Sequence, residues 1–188
     1  YKGDRGFTVF TNGGEVLGSA DLSGRWRGIV AIPSGYVLAA FDARELHYFD
    51  TSAREMRPPV AIGVAPAALA RFGGGLAIAS YDSTHGYVGV MALDGSSWIT
   101  EPVEIGEVVR PTPNIELGVS DGRMVFVWEL VDTGTQVAFL GPTGEVRRSV
   151  LLPELRGQPW PPVWTGADWL VPVGDSAVLR FSDNGEPL

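Results

Sequence analysis

The chain has 188 residues, 45% of them hydrophobic, a formal charge of −8 and no cysteine. That length buries a sizeable core and excludes a disordered or low-complexity chain. The acidic balance excludes a phosphate-binding surface built from clustered Lys and Arg, so nucleic acid is not an expected partner, and the missing thiols exclude disulfides, zinc thiolates and cysteine nucleophiles.

No apolar run reaches the roughly 18 residues of a membrane-spanning helix. Tyr1 stands where an initiator Met would, which fits a processed product, a trimmed chain or a piece of something longer. The first residues, 1–6, are polar and Gly-rich and form a lead-in. Phe7 to Phe10 then reads as a strand, Thr11 to Gly14 as a turn and Glu15 to Leu22 as a second strand.

From Ile29 to Asp42 runs a fourteen-residue pattern, IVAIPSGYVLAAFD, that returns without gaps at Leu69 to Asp82, Glu116 to Glu129 and Pro162 to Asp175. Each copy holds a short apolar run, a turn containing Gly or Asp, a second run that is apolar nearly throughout, and a carboxylate. That is a β-hairpin used four times. The Phe7 to Leu22 hairpin also recurs, with anchors at Phe10, Phe49, Leu93, Leu140 and Phe181; three of these lie four residues before a Gly-Glu pair, and Phe49 lies four before Ala53-Arg54.

The fourteen-residue repeats are spaced 40, 47 and 46 residues apart, and the anchors 39, 44, 47 and 41. A period in the forties carrying four strands is the signature of a β-propeller blade. The expected fold is therefore all-β, a β-propeller of four-stranded blades, with 4–5 blades or an incomplete segment of a larger propeller. A β-sandwich is the rival. With strands named a to d along each blade, the whole of 1–188 reads as one domain. Residues 7–22 supply a c-d pair, 28–62, 67–105 and 114–153 complete blades, and 161–188 an a-b-c group. Both ends thus offer a c strand.

Gly166 to Leu188 (GADWLVPVGDSAVLRFSDNGEPL) and Asp121 to Val146 resemble the repeats of bacterial extracellular β-propeller proteins, and Asp94-Gly95-Ser96-Ser97-Trp98 is weakly similar to the Asp-box of sialidase-type propellers. The resemblance implies a fold and a secreted or cell-envelope setting, not an activity.

In a propeller the b-c and d-a connections share one face. Asp42, Asp82, Glu129 and Asp175, at the ends of the b strands, would ring it. Converging carboxylates would hold Ca²⁺ through oxygen or receive a cationic partner; the simpler reading is that each caps its own turn. The d-a connections add Arg25, Trp26 and Arg27, then Arg110, then Trp160, aromatics and guanidinium groups suited to a glycan or protein ligand. Asp82-Ser83-Thr84-His85 is the most reactive-looking stretch, with His85 near Ser83 and Ser80, but a triad also needs an orienting group and an oxyanion hole. The leading expectation is a non-enzymatic binding or scaffold module. The alternatives are a structural subunit that pairs through its terminal strands, as a homo-oligomer or with a partner chain, and a glycoside hydrolase.

Overall fold

Two apolar, β-branched runs joined by a tight turn fold as a hairpin, and each fourteen-residue repeat does so. The structure, a computed structural model, describes residues 6–22, 24–108, 114–130, 132–175 and 177–188. Among them are strands and turns and no helix. The chain divides into two compact units, Tyr1–Pro66 and Ala67–Leu188.

In the first unit β1 (Gly6–Phe10) pairs with β2 (Val16–Asp21), and β3 (Trp26–Ile32), β4 (Gly35–Ala40), β5 (Glu45–Phe49) and β6 (Val60–Ala61) form a four-stranded meander. In the second, β7 (Ala65–Phe72), whose first residues precede the boundary, joins β8 (Gly75–Tyr81), β9 (His85–Ala92) and β10 (Trp98–Glu107). A further four-stranded sheet holds β11 (Ile115–Ser120), β12 (Arg123–Leu130), β13 (Gly134–Leu140) and β14 (Val146–Leu152), and β15 (Val163–Trp164), β16 (Trp169–Val173) and β17 (Ala177–Phe181) form a three-stranded one. Every sheet joins strands in sequence order, as expected of propeller blades.

The b strands β4, β8, β12 and β16 are buried along most of their length, whereas the d strands β2, β10 and β14 are largely exposed. Continuous burial requires a layer on both faces, and the sequence answers with unbroken apolar runs. In the second unit Val125, Val127, Val137 and Phe139 of one sheet pack with Trp169, Val171, Val173 and Phe181 of the next. Each such side chain contributes about 1.5–3 kcal/mol on leaving water. Gly185 lies against this contact: a Cβ there would collide with the Phe139 ring, and its φ of 78° is costly for other residues.

The c-d turns explain the Gly-Glu signature. In each, the residue after the anchor donates its N–H across the turn and its carbonyl accepts from a residue in the left-handed region: Gly14, Ala53, Gly95, Gly144 or Gly185. In three copies its side chain also accepts a backbone N–H four residues on: Thr11 from Glu15, Asp50 from Arg54 and Ser182 from Glu186, at 3.0–3.1 Å. The Arg54 N–H holds the Asp50 carboxyl below its ordinary range, helped by that of Ser52. Gly141 has no side chain to offer, and Glu145 folds into the space, accepting from the Thr143 hydroxyl at 2.6 Å; that bond lowers the pKa of Glu145.

One anchor differs from the sequence expectation. In the third copy the turn runs from Ala92 to Ser97, a residue longer than the others, so Met91 and not Leu93 takes the anchor position.

Candidate functional site

The b-c turns and d-a connections meet because the a-b ladder continues past its strands. Phe41 donates its N–H to the Arg25 carbonyl, Glu129 to that of Asn114 and Gly174 to that of Gln158. Each meeting brings a b-strand end beside the residues that lead into strand a.

In the first unit, Asp42 accepts from the Arg25 backbone N–H at 3.0 Å and from its guanidinium at 2.7 and 3.0 Å. Arg25 and Arg27 both lie over the Phe41 ring, at 4.3 and 5.5 Å from its centroid. Gly24, at φ 90°, turns the chain into this arrangement. Trp26 and His47 meet in a T-shaped ring contact with centroids 5.0 Å apart, and His47 Nδ1 is 2.9 Å from Glu55. Trp26 also lines an apolar cavity of about 310 Å³ with Phe7, Leu22, Ile29 and Leu38.

In the second unit Asp82 organises its own turn. Its Oδ1 accepts the N–H groups of Thr84 and His85, at 2.7 and 2.8 Å, and its Oδ2 accepts the Tyr87 hydroxyl at 2.8 Å. Those bonds, the Thr84 N–H first, hold the Asp82 carboxyl far below the ordinary range; in return the carboxylate raises the Tyr87 phenol. The hydroxyl that meets His85 belongs to Thr84, 2.8 Å from Nδ1. The Thr84 hydroxyl also lies 3.2 Å from Asp82 Oδ1, so its single proton is shared between the carboxylate and the imidazole as partners. Ser80 is buried and Ser83 is exposed. Ser83, Thr84, His85, Glu107 and Val108 line a cavity of about 420 Å³, and Glu104 approaches His85 Nε2 at 3.8 Å.

Glu107 also borders a second cavity of about 360 Å³, walled by Ile105, Trp128, Leu130 and Gln136. The Trp128 indole N–H is tied to the Glu107 carbonyl at 3.0 Å. Gly106 lets that indole approach, since a Cβ there would stand 3.2 Å from it. Sequence reasoning missed Glu104, Glu107 and Trp128. Strand pairing sets Glu107 opposite His85 and Glu104 opposite Tyr87 across a register shift between Glu104 and Gly106, so simple alternation along β10 gave no signal for them.

The remaining candidates are dispersed. Glu129 accepts from the Asn114 amide at 3.4 Å, and Asp175 lies exposed in its turn. Trp160 is 50% exposed, its N–H tied to the Pro172 carbonyl. Arg110 lies outside the described residues. Among the described residues, no group of three or more His, Asp and Glu stands close enough to hold a metal ion.

Comparison with protein-family models finds no match, and neither does comparison with curated sequences. Solved structures do match. A structure titled the Dos1 propeller aligns with a TM-score of 0.70 at 10% identity, over 97% of this chain and 52% of that one. BamB from Moraxella catarrhalis aligns at 0.61 and 9% identity, over 97% and 54%. Streptogramin B lyase aligns at 0.60 and 16% identity, over 87% and 53%. The chain thus spans about half the length of these β-propeller structures, and at such identities the likeness is one of fold. The fold is that of an incomplete β-propeller: all-β, built of antiparallel blade sheets.

Proposed function

We propose that the chain is a non-catalytic binding or scaffold module that receives a protein partner on the b-c and d-a face of the Ala67–Leu188 unit. The observation that carries this is Glu107, one exposed carboxylate bordering both the His85 cavity and the Trp128 cavity. Two adjoining hollows with a carboxylate between them suit a long cationic side chain, and the net charge of −8 favours such a partner's approach. The test is titration of an Arg-rich peptide by calorimetry. Glu107→Gln weakens binding severalfold, with a smaller effect in high salt; equal affinity for both proteins sinks the reading.

A second reading rests on Trp160, exposed between Pro159 and Pro161. An exposed flat ring suits the apolar face of a sugar. A glycan array binding the wild type but not Trp160→Ala supports it, and an array without binding removes it. The likeness to extracellular propeller repeats supports a secreted or cell-envelope setting, which fractionation of the source cells tests.

A further inference from the structure

Two of the c-d turns hold an Asn-Gly pair, and the pairs are one residue out of step. In the turn after Phe10 the pair is Asn12-Gly13, and in the turn after Phe181 it is Asn184-Gly185. Both turns are fastened alike. Gly14 donates its N–H to the Thr11 carbonyl and Gly185 donates to the Ser182 carbonyl, each at 3.0 Å, and both glycines take a left-handed φ, 85° and 78°. Asn184 therefore precedes the fastened glycine, while Asn12 stands one place earlier, ahead of a glycine at the apex.

That offset decides what the nitrogen after each Asn can do. The Gly185 nitrogen is engaged with Ser182, and the residue is buried against the Phe139 ring. Asn12 and Gly13 are both exposed, and among the described residues the Gly13 N–H meets no acceptor. Nor does the turn need glycine at this place. The φ of Gly13 is not left-handed, and a Cβ there would meet only Thr11 Oγ1 at 3.6 Å, an ordinary contact.

We infer that Asn12 is a site of spontaneous deamidation in the folded chain, and that Asn184 is protected by its place in the turn. Glycine after Asn leaves the following nitrogen unscreened by any side chain. The Gly13 nitrogen gives its proton to water and attacks Asn12 Cγ. The N–Cγ bond forms, the Cγ–Nδ2 bond breaks and Nδ2 takes a proton and leaves as ammonia, closing a five-membered succinimide. Water then opens the ring, with no electrons gained or lost. Addition at Cγ leaves an aspartate; addition at the Asn12 main-chain carbonyl leaves an isoaspartate, whose chain runs through the former side chain. The aspartate fits the corner, since the turn after Phe181 carries Asp183 at that position. The isoaspartate lengthens the main chain by one carbon between Thr11 and Gly14 and so disturbs the bond that closes the turn. This inference stands apart from the Glu107 face and does not rest on it.

The measurement is peptide mapping by mass spectrometry of the full chain held in mildly alkaline buffer, both folded and unfolded in guanidinium chloride. In the folded chain Asn12 converts at least about tenfold faster than Asn184, because attack at Asn184 must first break the Gly185 bond and lift that residue from Phe139. Unfolding brings the two rates together. Gly13→Ala slows conversion at Asn12 and leaves Asn184 unchanged, with circular dichroism confirming that the variant is folded. Three results overturn the proposal: equal rates in the folded chain, Asn184 the faster of the two, or an Asn12 that stays intact in the folded chain while the unfolded chain is converted.

Discussion

Asp42 and Asp82 close the same repeat, follow the same kind of b strand and differ in everything they bind. Asp82 turns inward on its own loop and satisfies two backbone N–H groups and a phenol within five residues. Asp42 reaches seventeen residues back to a guanidinium and a backbone N–H on the incoming connection. The repeat places a carboxylate at the end of the b strand; the neighbouring residues decide whether it builds the turn or ties two segments together. Thr84 and Tyr87 favour the first role, Arg25 the second.

The comparison breaks most visibly at Asp82. Asp82→Ala removes the one acceptor shared by two N–H groups and the Tyr87 hydroxyl and so loosens the turn, and the melting temperature falls by a few degrees, measured calorimetrically. The corresponding Asp42→Ala leaves an exposed guanidinium that water serves well, and it costs at most about 1 kcal/mol by denaturant titration. If the two losses are equal, the distinction between turn builder and tie is wrong.

Acid sharpens the same contrast. The Asp82 pKa is lowered in the folded state, so its contribution is fully present above the unfolded value of about 4 and is lost as pH falls toward the folded one. The stability gap between wild type and Asp82→Asn therefore narrows progressively below about pH 4. A gap that stays constant down to pH 2 contradicts the bonding described.

Salt gives the smallest effect. The Arg25–Asp42 pair is half exposed on both sides, and a double-mutant cycle yields a coupling of at most about 1 kcal/mol that fades toward 1 M salt. The Asp82 turn, held mainly by short backbone bonds, keeps its contribution there.

The a-b hairpins and the c-d turns were legible because their signals are local. A left-handed turn position demands Gly and tolerates Ala53 with strain, and a strand covered on both faces demands an unbroken apolar run. The slip from Leu93 to Met91 shows the limit of that reading: one extra residue in the turn shifts the register without altering the composition. The site was less legible. Spacing set His85 near Ser83 and Ser80 without pairing it to either, and it meets Thr84, because a choice among adjacent hydroxyls is made by backbone angles. Glu107 and Trp128 come together only through the packing of one sheet on the next, which no spacing within either strand records. The exposure of Phe10 was invisible in the same sense, since VFTNGGEVL and RFSDNGEPL read almost alike while, among the described residues, only the second lies beside a b strand.

The c-d turns carry their own fastenings. Thr11, Asp50 and Ser182 each secure the loop that follows them, and the Gly141 copy uses Glu145 from within the same five residues. A hairpin so equipped needs nothing from its neighbours to make its corner, so it can be duplicated, deleted or moved along a gene as a finished part.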